Sequence, residues 1–293
     1  MGKSLACQYP EARRVFEQAD QALGVSISKI CFEGTEEDLK RTENTQPALL
    51  AASIAACRVL EAQEIRPKLV AGHSLGEYSA LVAAGALAFA DAMRLVRKRG
   101  QYMQEAVPQG IGAMAALLKL PEGQLERVLG EAAQGEVVTA ANLNSPDQIV
   151  IAGHKKAVER AMELAKAAGA KRAILLPVSA PFHCPLMIPA QEKMRPALRA
   201  TPFNNLQIPL VNNWQARTIL TAEDARTGLE EQIPNPVRWT DTVRQMSANG
   251  IKRFIEVGPG TVLLGLCRNI DSTLQGVKFG DPADLDRVKL LLT

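Results

Sequence analysis

Residues 68–84 read K-L-V-A-G-H-S-L-G-E-Y-S-A-L-V-A-A. A short apolar run, Leu69-Val70-Ala71, stops at Gly72; Ser74 follows, then Leu75-Gly76, then good helix formers. Such an order makes a strand break sharply into a helix with Ser74 at the corner, the arrangement of a G-x-S-x-G nucleophile elbow. A side chain at Gly72 or at Gly76 is expected to collide with the neighbouring strand or helix in so tight a turn. The corner exposes the Ser74 hydroxyl at a helix N-terminus, where free N–H groups and the helix dipole favour negative charge. Ser74 is therefore a candidate nucleophile. A surface serine in a Gly-rich turn is the plainer alternative.

The rest of the chain supplies the layers around that corner. Helices are expected over 10–22 and from Thr45 to Glu61, the second capped by Thr45 with Pro47 in its first turn. A strand at 68–72, the elbow helix 75–84 and a helix over 89–106 come next. From Gly112 to Pro177 the rhythm changes to strand 114–118, helix 121–133, strand 137–142, a Ser145-Pro146-Asp147 turn, strand 148–152, helix 155–168 and strand 172–176. That order, β-α-β-β-α-β, is the ferredoxin-like unit, here inserted as a small subdomain. Beyond it lie a helix over 184–199, a strand at 208–211, helices near 222–232 and 240–248, and a strand at 253–257. Gly258-Pro259-Gly260 then turns the chain into a last helix. Alternating strands and helices imply an α/β fold, a largely parallel sheet covered on both faces. The expected division is a large domain over 1–110 and 179–293 with a small one over 111–178.

A chain of 293 residues can bury a full core. Its net charge of +3 argues against a nucleic-acid binder and leaves room for weak attraction to an acidic partner. No apolar run reaches the ~18 residues of a membrane span, and the N-terminus does not read as a signal peptide. A cytoplasmic enzyme is expected. Cys7, Cys31, Cys57, Cys184 and Cys267 are scattered, form no C-x-x-C pair and read as reduced, mostly packed thiols rather than a disulfide framework or metal site.

A serine nucleophile needs a base, and the chain has three histidines. His73 adjoins Ser74, and neighbours on a tight turn point apart. His154 opens a subdomain helix and reads as a solvated cap residue. His183 lies in S-A-P-F-H-C-P-L-M, where the subdomain rejoins the main body between Pro181 and Pro185, and loops at such joins line clefts. It is the favoured base, with a packed histidine as the alternative. On the helix over 89–106, at ~100° per residue, Phe89, Ala92, Val96, Gly100 and Met103 share one face. Arg94, Arg97, Lys98 and Gln101 share the opposite, solvated one. Arg99 falls inside the apolar arc. An inward guanidinium needs an anionic or multi-acceptor partner. Two readings stand open: an internal ion pair with Glu77 or Glu256, or a bidentate receptor for a substrate carboxylate.

Seven segments together resemble the malonyl-CoA:acyl carrier protein transacylases and the related acyltransferase domains of polyketide synthases. They are T-Q-P-A-L-L (45–50), G-H-S-L-G-E-Y-S-A-L (72–81), R-G-Q-Y-M-Q-E-A-V-P (99–108), A-N-L-N-S-P-D-Q-I-V-I-A-G (141–153), S-A-P-F-H-C-P-L-M (179–187), N-P-V-R-W (235–239) and E-V-G-P-G (256–260). The resemblance implies Ser74 as nucleophile, His183 as base and Arg99 as receptor of the malonyl carboxylate. It further implies the Leu75 N–H as one oxyanion donor and the Gln232 carbonyl as the group that orients the histidine. Phe182 resembles the malonyl-choosing form of its motif, whose ring leaves little room for a 2-methyl group. The implied substrates are malonyl-CoA and the phosphopantetheine thiol of acyl carrier protein, with no cofactor, no metal and a monomeric enzyme.

In one respect the chain departs from that pattern. Family members begin with a strand and an F-P-G-Q-G-S-Q-like loop whose Gln supplies the second oxyanion donor, and Met1-Gly2 matches a point beyond that loop. Losing one such donor typically costs ~10²–10³ in turnover, so lower activity and stability than longer relatives are expected. Two other classes stay open. A serine hydrolase of α/β-hydrolase type shares the elbow but needs an acid between Ser and His, where Asp147 sits in a turn. A carrier-protein-binding module of low activity is the other.

Overall fold

The computed structural model describes residues 1–40, 42–178 and 180–293, with Lys40 through its backbone alone. The chain opens with four helices, α1 (Lys3–Gln8), α2 (Pro10–Leu23), α3 (Ile27–Glu33) and α4 (Glu36–Lys40), then the long α5 (Thr42–Ala62). α5 starts before the expected Thr45, so Pro47 stands inside it rather than in its first turn. Thr45 lies inside this helix rather than at its start, and its hydroxyl donates to the Leu39 carbonyl. β1 (Val70–Ala71), α6 (Gly76–Ala83) and α7 (Phe89–Glu105) carry the elbow and the arginine helix.

The inserted unit is β2 (Gly112–Leu118), α8 (Gln124–Ala133), β3 (Val138–Ser145), β4 (Gln148–His154), α9 (Lys155–Ala167) and β5 (Arg172–Leu175). Its four strands pair in the order β3-β4-β2-β5, all antiparallel, as a ferredoxin-like unit does. Period-2 alternation gives the sheet two apolar faces. Ala113, Ala115 and Leu117 pack with Val128, Val158 and Ala161 of the two helices. Met114 and Ala116 join Val150, Ala152 and Cys184 on the other side. The second face thus holds the loop that carries His183 against the insert. Each fully buried Val or Leu contributes about 1.5–3 kcal/mol. The expected return point, residue 179, lies outside the described residues.

After the insert come α10 (Ile188–Ala200), preceded by a 3-10 turn over Pro185–Met187, then β6 (Leu210–Val211), β7 (Thr218–Ile219), α11 (Ala222–Glu231), α12 (Trp239–Ala248), β8 (Arg253–Val257), α13 (Val262–Ile270), β9 (Gln275–Phe279) and α14 (Leu285–Leu292). α13 is therefore not the last element, as the sequence reading has it: a strand and a helix follow. Parallel pairing joins β1 to β6 (Val70↔Leu210) and β8 to β9 (Arg253↔Gln275), while β7 runs antiparallel to β6. The main core gathers α2, α5, α6, α7 and α10 through residues such as Phe16, Leu50, Ile54, Leu81, Val96 and Met194. β3 is tied to the segment before α12 by Leu143 N–H to Val237 O and Val237 N–H to Ala141 O, both 2.9 Å.

Cys31, Cys184 and Cys267 are buried, Cys57 is half-buried and Cys7 is exposed, all as free thiols. Burial pushes the Cys31 thiol up to about 11 and the Cys57, Cys184 and Cys267 thiols up to about 12. No helix among the described residues is long and apolar enough to cross a membrane.

Candidate active site

Gly72 ends β1 because nothing larger fits there. A Cβ on it would lie 2.0 Å from the Gly76 carbonyl oxygen. Gly76 itself would tolerate one, since no atom lies within 4 Å of its Cβ position, so the steric demand expected of both glycines belongs to Gly72 alone. Ser74 then takes a left-handed φ of 52°, an uncommon conformation for a serine and the local strain of the elbow. Asn213, buried just beyond β6, clamps the corner. Its Oδ1 accepts from Ser74 N–H (2.6 Å) and its Nδ2 donates to the Gly72 carbonyl (2.7 Å). α6 takes the N–H groups of Gly76, Glu77 and Tyr78 into its first turn, and the Leu75 N–H has no hydrogen bond to the described residues.

The loop before α10 brings His183 to Ser74 across 109 residues of sequence, with its Nε2 2.7 Å from Ser74 Oγ. His183 also has a left-handed φ, 59°. Its Nδ1 lies 2.8 Å from the Gln232 carbonyl oxygen, which can only accept. Nδ1 therefore carries the ring proton and Nε2 turns its lone pair on Ser74. Burial, and after it the Arg99 charge, pushes the His183 pKa down to about 3, so the ring is neutral at pH 7. The acid that a hydrolase triad would need is replaced by that carbonyl. Asp147 sits in the β3–β4 turn, 3.8 Å from Lys119 Nζ.

Arg99 is 1 % exposed. One terminal nitrogen donates to Gln46 Oε1 (2.8 Å); the other donates to Gln232 Oε1 (2.8 Å) and to Ser74 Oγ (3.0 Å). Its Cζ lies 5.7 Å from the centre of the Tyr78 ring. Neither expected ion pair forms. Glu256 instead accepts from Leu263 N–H (3.0 Å) and Leu264 N–H (2.8 Å) at the start of α13. Glu77 makes no direct hydrogen bond to Arg99 among the described residues; Gln232 bridges them, its Nε2 donating to Glu77 Oε2 (2.9 Å). A buried cation held by two neutral amide oxygens and a hydroxyl keeps its charge available to an anion beside Ser74.

Of the other two histidines, His73 turns away from Ser74 as expected, while His154 stands at the start of α9 but is half-buried and makes no cap hydrogen bond to it. His73 Nε2 lies 2.8 Å from Asn144 Oδ1 and its ring tilts against Trp239, while His154 Nδ1 accepts from Val137 N–H. Phe182 is half-buried between the main core and the insert's outer sheet face. Sequence reasoning gives no role to Gln46 or Asn213 and offers Glu77 only as an ion-pair partner of Arg99, whereas the three together hold Arg99, Gln232 and the elbow. Their signal was faint: Gln46 and Glu77 are single polar residues on otherwise apolar helix faces, and Asn213 follows an apolar run. Among the described residues no group of His, Cys, Asp and Glu is placed to hold a metal ion.

A neutral base on a serine hydroxyl, a free N–H at a helix start and a buried cation are the parts of an acyl-transfer site that handles an anionic acyl group. The chain belongs to the acyl transferase domain family, whose model matches residues 1–283. It is 48 % identical over 280 residues to the malonyl CoA-acyl carrier protein transacylase of Escherichia coli, covering 95 % of this chain and 91 % of the relative. The Bacillus subtilis (strain 168) protein of the same name is 47 % identical over 287 residues, covering 98 % and 90 %. Among solved structures, the acyl carrier protein S-malonyltransferase of Vibrio cholerae superposes with a TM-score of 0.96 at 48 % identity, over 98 % of this chain and 94 % of the other. A malonyl-transacylase in complex with its type II PKS acyl-carrier protein matches with a TM-score of 0.96 at 46 % identity, over 100 % and 94 %.

Proposed function

We propose that this chain transfers a malonyl group from malonyl-CoA to the phosphopantetheine thiol of acyl carrier protein through a malonyl ester on Ser74. The observation that carries the reading is Arg99: a buried guanidinium without a carboxylate partner, 3.0 Å from the Ser74 hydroxyl. A malonyl group presents a carboxylate at that point and an acetyl group does not.

In the first half-reaction His183 Nε2 takes the Ser74 proton and Oγ attacks the thioester carbonyl. The Leu75 N–H donates to the oxyanion, and Arg99 holds the malonyl carboxylate. Collapse breaks the C–S bond, and the CoA sulfur leaves with the proton from His183. In the second half the carrier's thiol gives its proton to His183 and attacks the ester, and Ser74 Oγ departs with that proton. The Gln232 carbonyl keeps the histidine in the one tautomer that can do this. Phe182 limits room beside the acyl carbon for a 2-methyl group. No cofactor enters these steps. The proposal includes a cytoplasmic setting and two bodies, 1–110 with 179–293 and 111–178, that meet at the site.

Intact-mass measurement after incubation with malonyl-CoA tests the reading. One malonyl group is expected on the wild type and none on Ser74→Ala, with discharge on adding carrier protein bearing a free thiol. Labelling of Ser74→Ala at the wild-type level, or faster loss of the acyl group to water than to the carrier, would overturn it.

A further inference from the structure

Glu77 is fully buried in the first turn of α6, and the acyl-transfer steps do not use it. Its Oε2 accepts two hydrogen bonds, from Asn213 N–H (3.0 Å) and from Gln232 Nε2 (2.9 Å). The second bond, shorter than the one Nε2 also donates to the Ser74 carbonyl (3.4 Å), is the main one that sets the direction of the Gln232 amide. A side-chain amide has a donor end and an acceptor end of almost equal shape, and its surroundings decide which way it points. With Nε2 committed to Glu77, Oε1 faces Arg99 at 2.8 Å. A reversed amide would set N–H donors against the N–H donors of the guanidinium, and Arg99 would lose one of the two amide oxygens that hold it.

We propose that Glu77 is a positioning residue for acyl-group selection: by fixing the polarity of the Gln232 amide it aims the Arg99 guanidinium at the acyl group on Ser74. Both protonation states of the carboxyl leave Oε2 able to accept, with the proton of the neutral form on Oε1, so the aim is set by the presence of the acceptor. Oε1 has no hydrogen-bond partner, and Gly228 leaves it room, since a Cβ there would lie 3.1 Å from it. The Gln232 backbone carbonyl, which holds His183, does not depend on the side-chain amide's direction. Removing the acceptor should therefore harm recognition of the acyl carboxylate more than it harms the Ser74–His183 chemistry.

The proposal rests on Arg99 as the carboxylate receptor, and the test separates the two. Acylation of Ser74 by malonyl-CoA and by acetyl-CoA is measured as kcat/KM for the wild type, Glu77→Gln, Glu77→Met and Arg99→Ala. Glu77→Met is expected to lower the malonyl-to-acetyl ratio by roughly 10-fold or more, the loss of one hydrogen bond to a charged group. Glu77→Gln, whose carbonyl can take the Gln232 N–H, is expected to restore most of that ratio. Loss of the Asn213 bond would disturb the elbow and slow both donors alike, which the ratio cancels. Should Glu77→Met fail to fold, Gln232→Met, which keeps the backbone carbonyl, is expected to lower the ratio in the same way. A wild-type ratio in folded Glu77→Met, or failing that in Gln232→Met, overturns the proposal, as does an equal fall in Glu77→Gln. If Arg99→Ala leaves the ratio unchanged, the carboxylate reading itself fails. If Arg99→Ala lowers the ratio and Glu77→Met does not, only the role of Glu77 falls.

Discussion

His183 must stay neutral inside the fold, and this makes the protein sensitive to acid by an amount its burial sets. Burial first, then the Arg99 charge, holds its pKa near 3 against an ordinary value of 6.5. Below pH 6.5 the unfolded chain takes up a proton at this position and the native protein does not. Stability present at neutral pH is therefore lost as pH falls from 6.5 toward 3. At about 1.4 kcal/mol per pH unit over that interval, this one residue should remove about 2 kcal/mol between pH 7 and pH 5. Urea unfolding followed by the fluorescence of Trp214 and Trp239, at both pH values, measures the loss. His183→Asn is the comparison, because asparagine accepts the left-handed backbone at this position and carries no titrating group. His73, also held below its ordinary value chiefly by burial, adds a slope common to both proteins that cancels in the difference. Equal pH slopes in wild type and variant would refute the reasoning.

Three further outcomes are expected. Arg99→Ala should lower kcat/KM for malonyl-CoA by about 100-fold, the scale of a charge-assisted pair of hydrogen bonds, while acetyl-CoA is spared or improved; proportional loss of both, read in the same acylation assay, would make Arg99 structural. Gly72→Ala should prevent normal folding and Gly76→Ala should not, as their Cβ positions meet a carbonyl at 2.0 Å and open space respectively; melting curves of the two variants decide it. Asn213→Ala should cost about 2–4 kcal/mol, because the Ser74 N–H and Gly72 carbonyl it pairs are both left without partners, and should slow acylation by both donors equally. Wild-type melting and rates in that variant would show the clamp to be dispensable.

The corner at Ser74 was readable in the sequence because a strand, two glycines and a helix leave a chain few ways to turn. His183 followed from its place at a domain join, and the antiparallel insert from its alternating elements. Arg99 stood out as a charge on an apolar face, yet periodicity could not choose its partner. That choice depended on Gln46 and Gln232, which arrive from α5 and from the end of α11, far away in sequence. Glu77 was named only as an ion-pair alternative, and its bond to Gln232 was hidden for the same reason: a polar residue in a helix shows its partners only once the neighbouring elements are packed on it. Short strands such as Thr218–Ile219 carry too few residues to show a period. The β9–α14 end was hidden by a strand whose second residue is Gly276, which lies against the Phe254 ring where a Cβ would come within 2.4 Å.

The insert also bears on how fast the two halves of the site find each other during folding. Ser74 and His183 are separated by 109 residues, most of them in the insert. Because β2 and β5 pair side by side, with Ala115 opposite Leu175, a folded insert returns the chain almost to where it left. The loop still to be closed shrinks to about 50 residues, which lowers its closure entropy cost by about 0.7 kcal/mol. In kinetic terms the inserted unit is a staple: once folded, it converts a remote encounter between nucleophile and base into a nearer one.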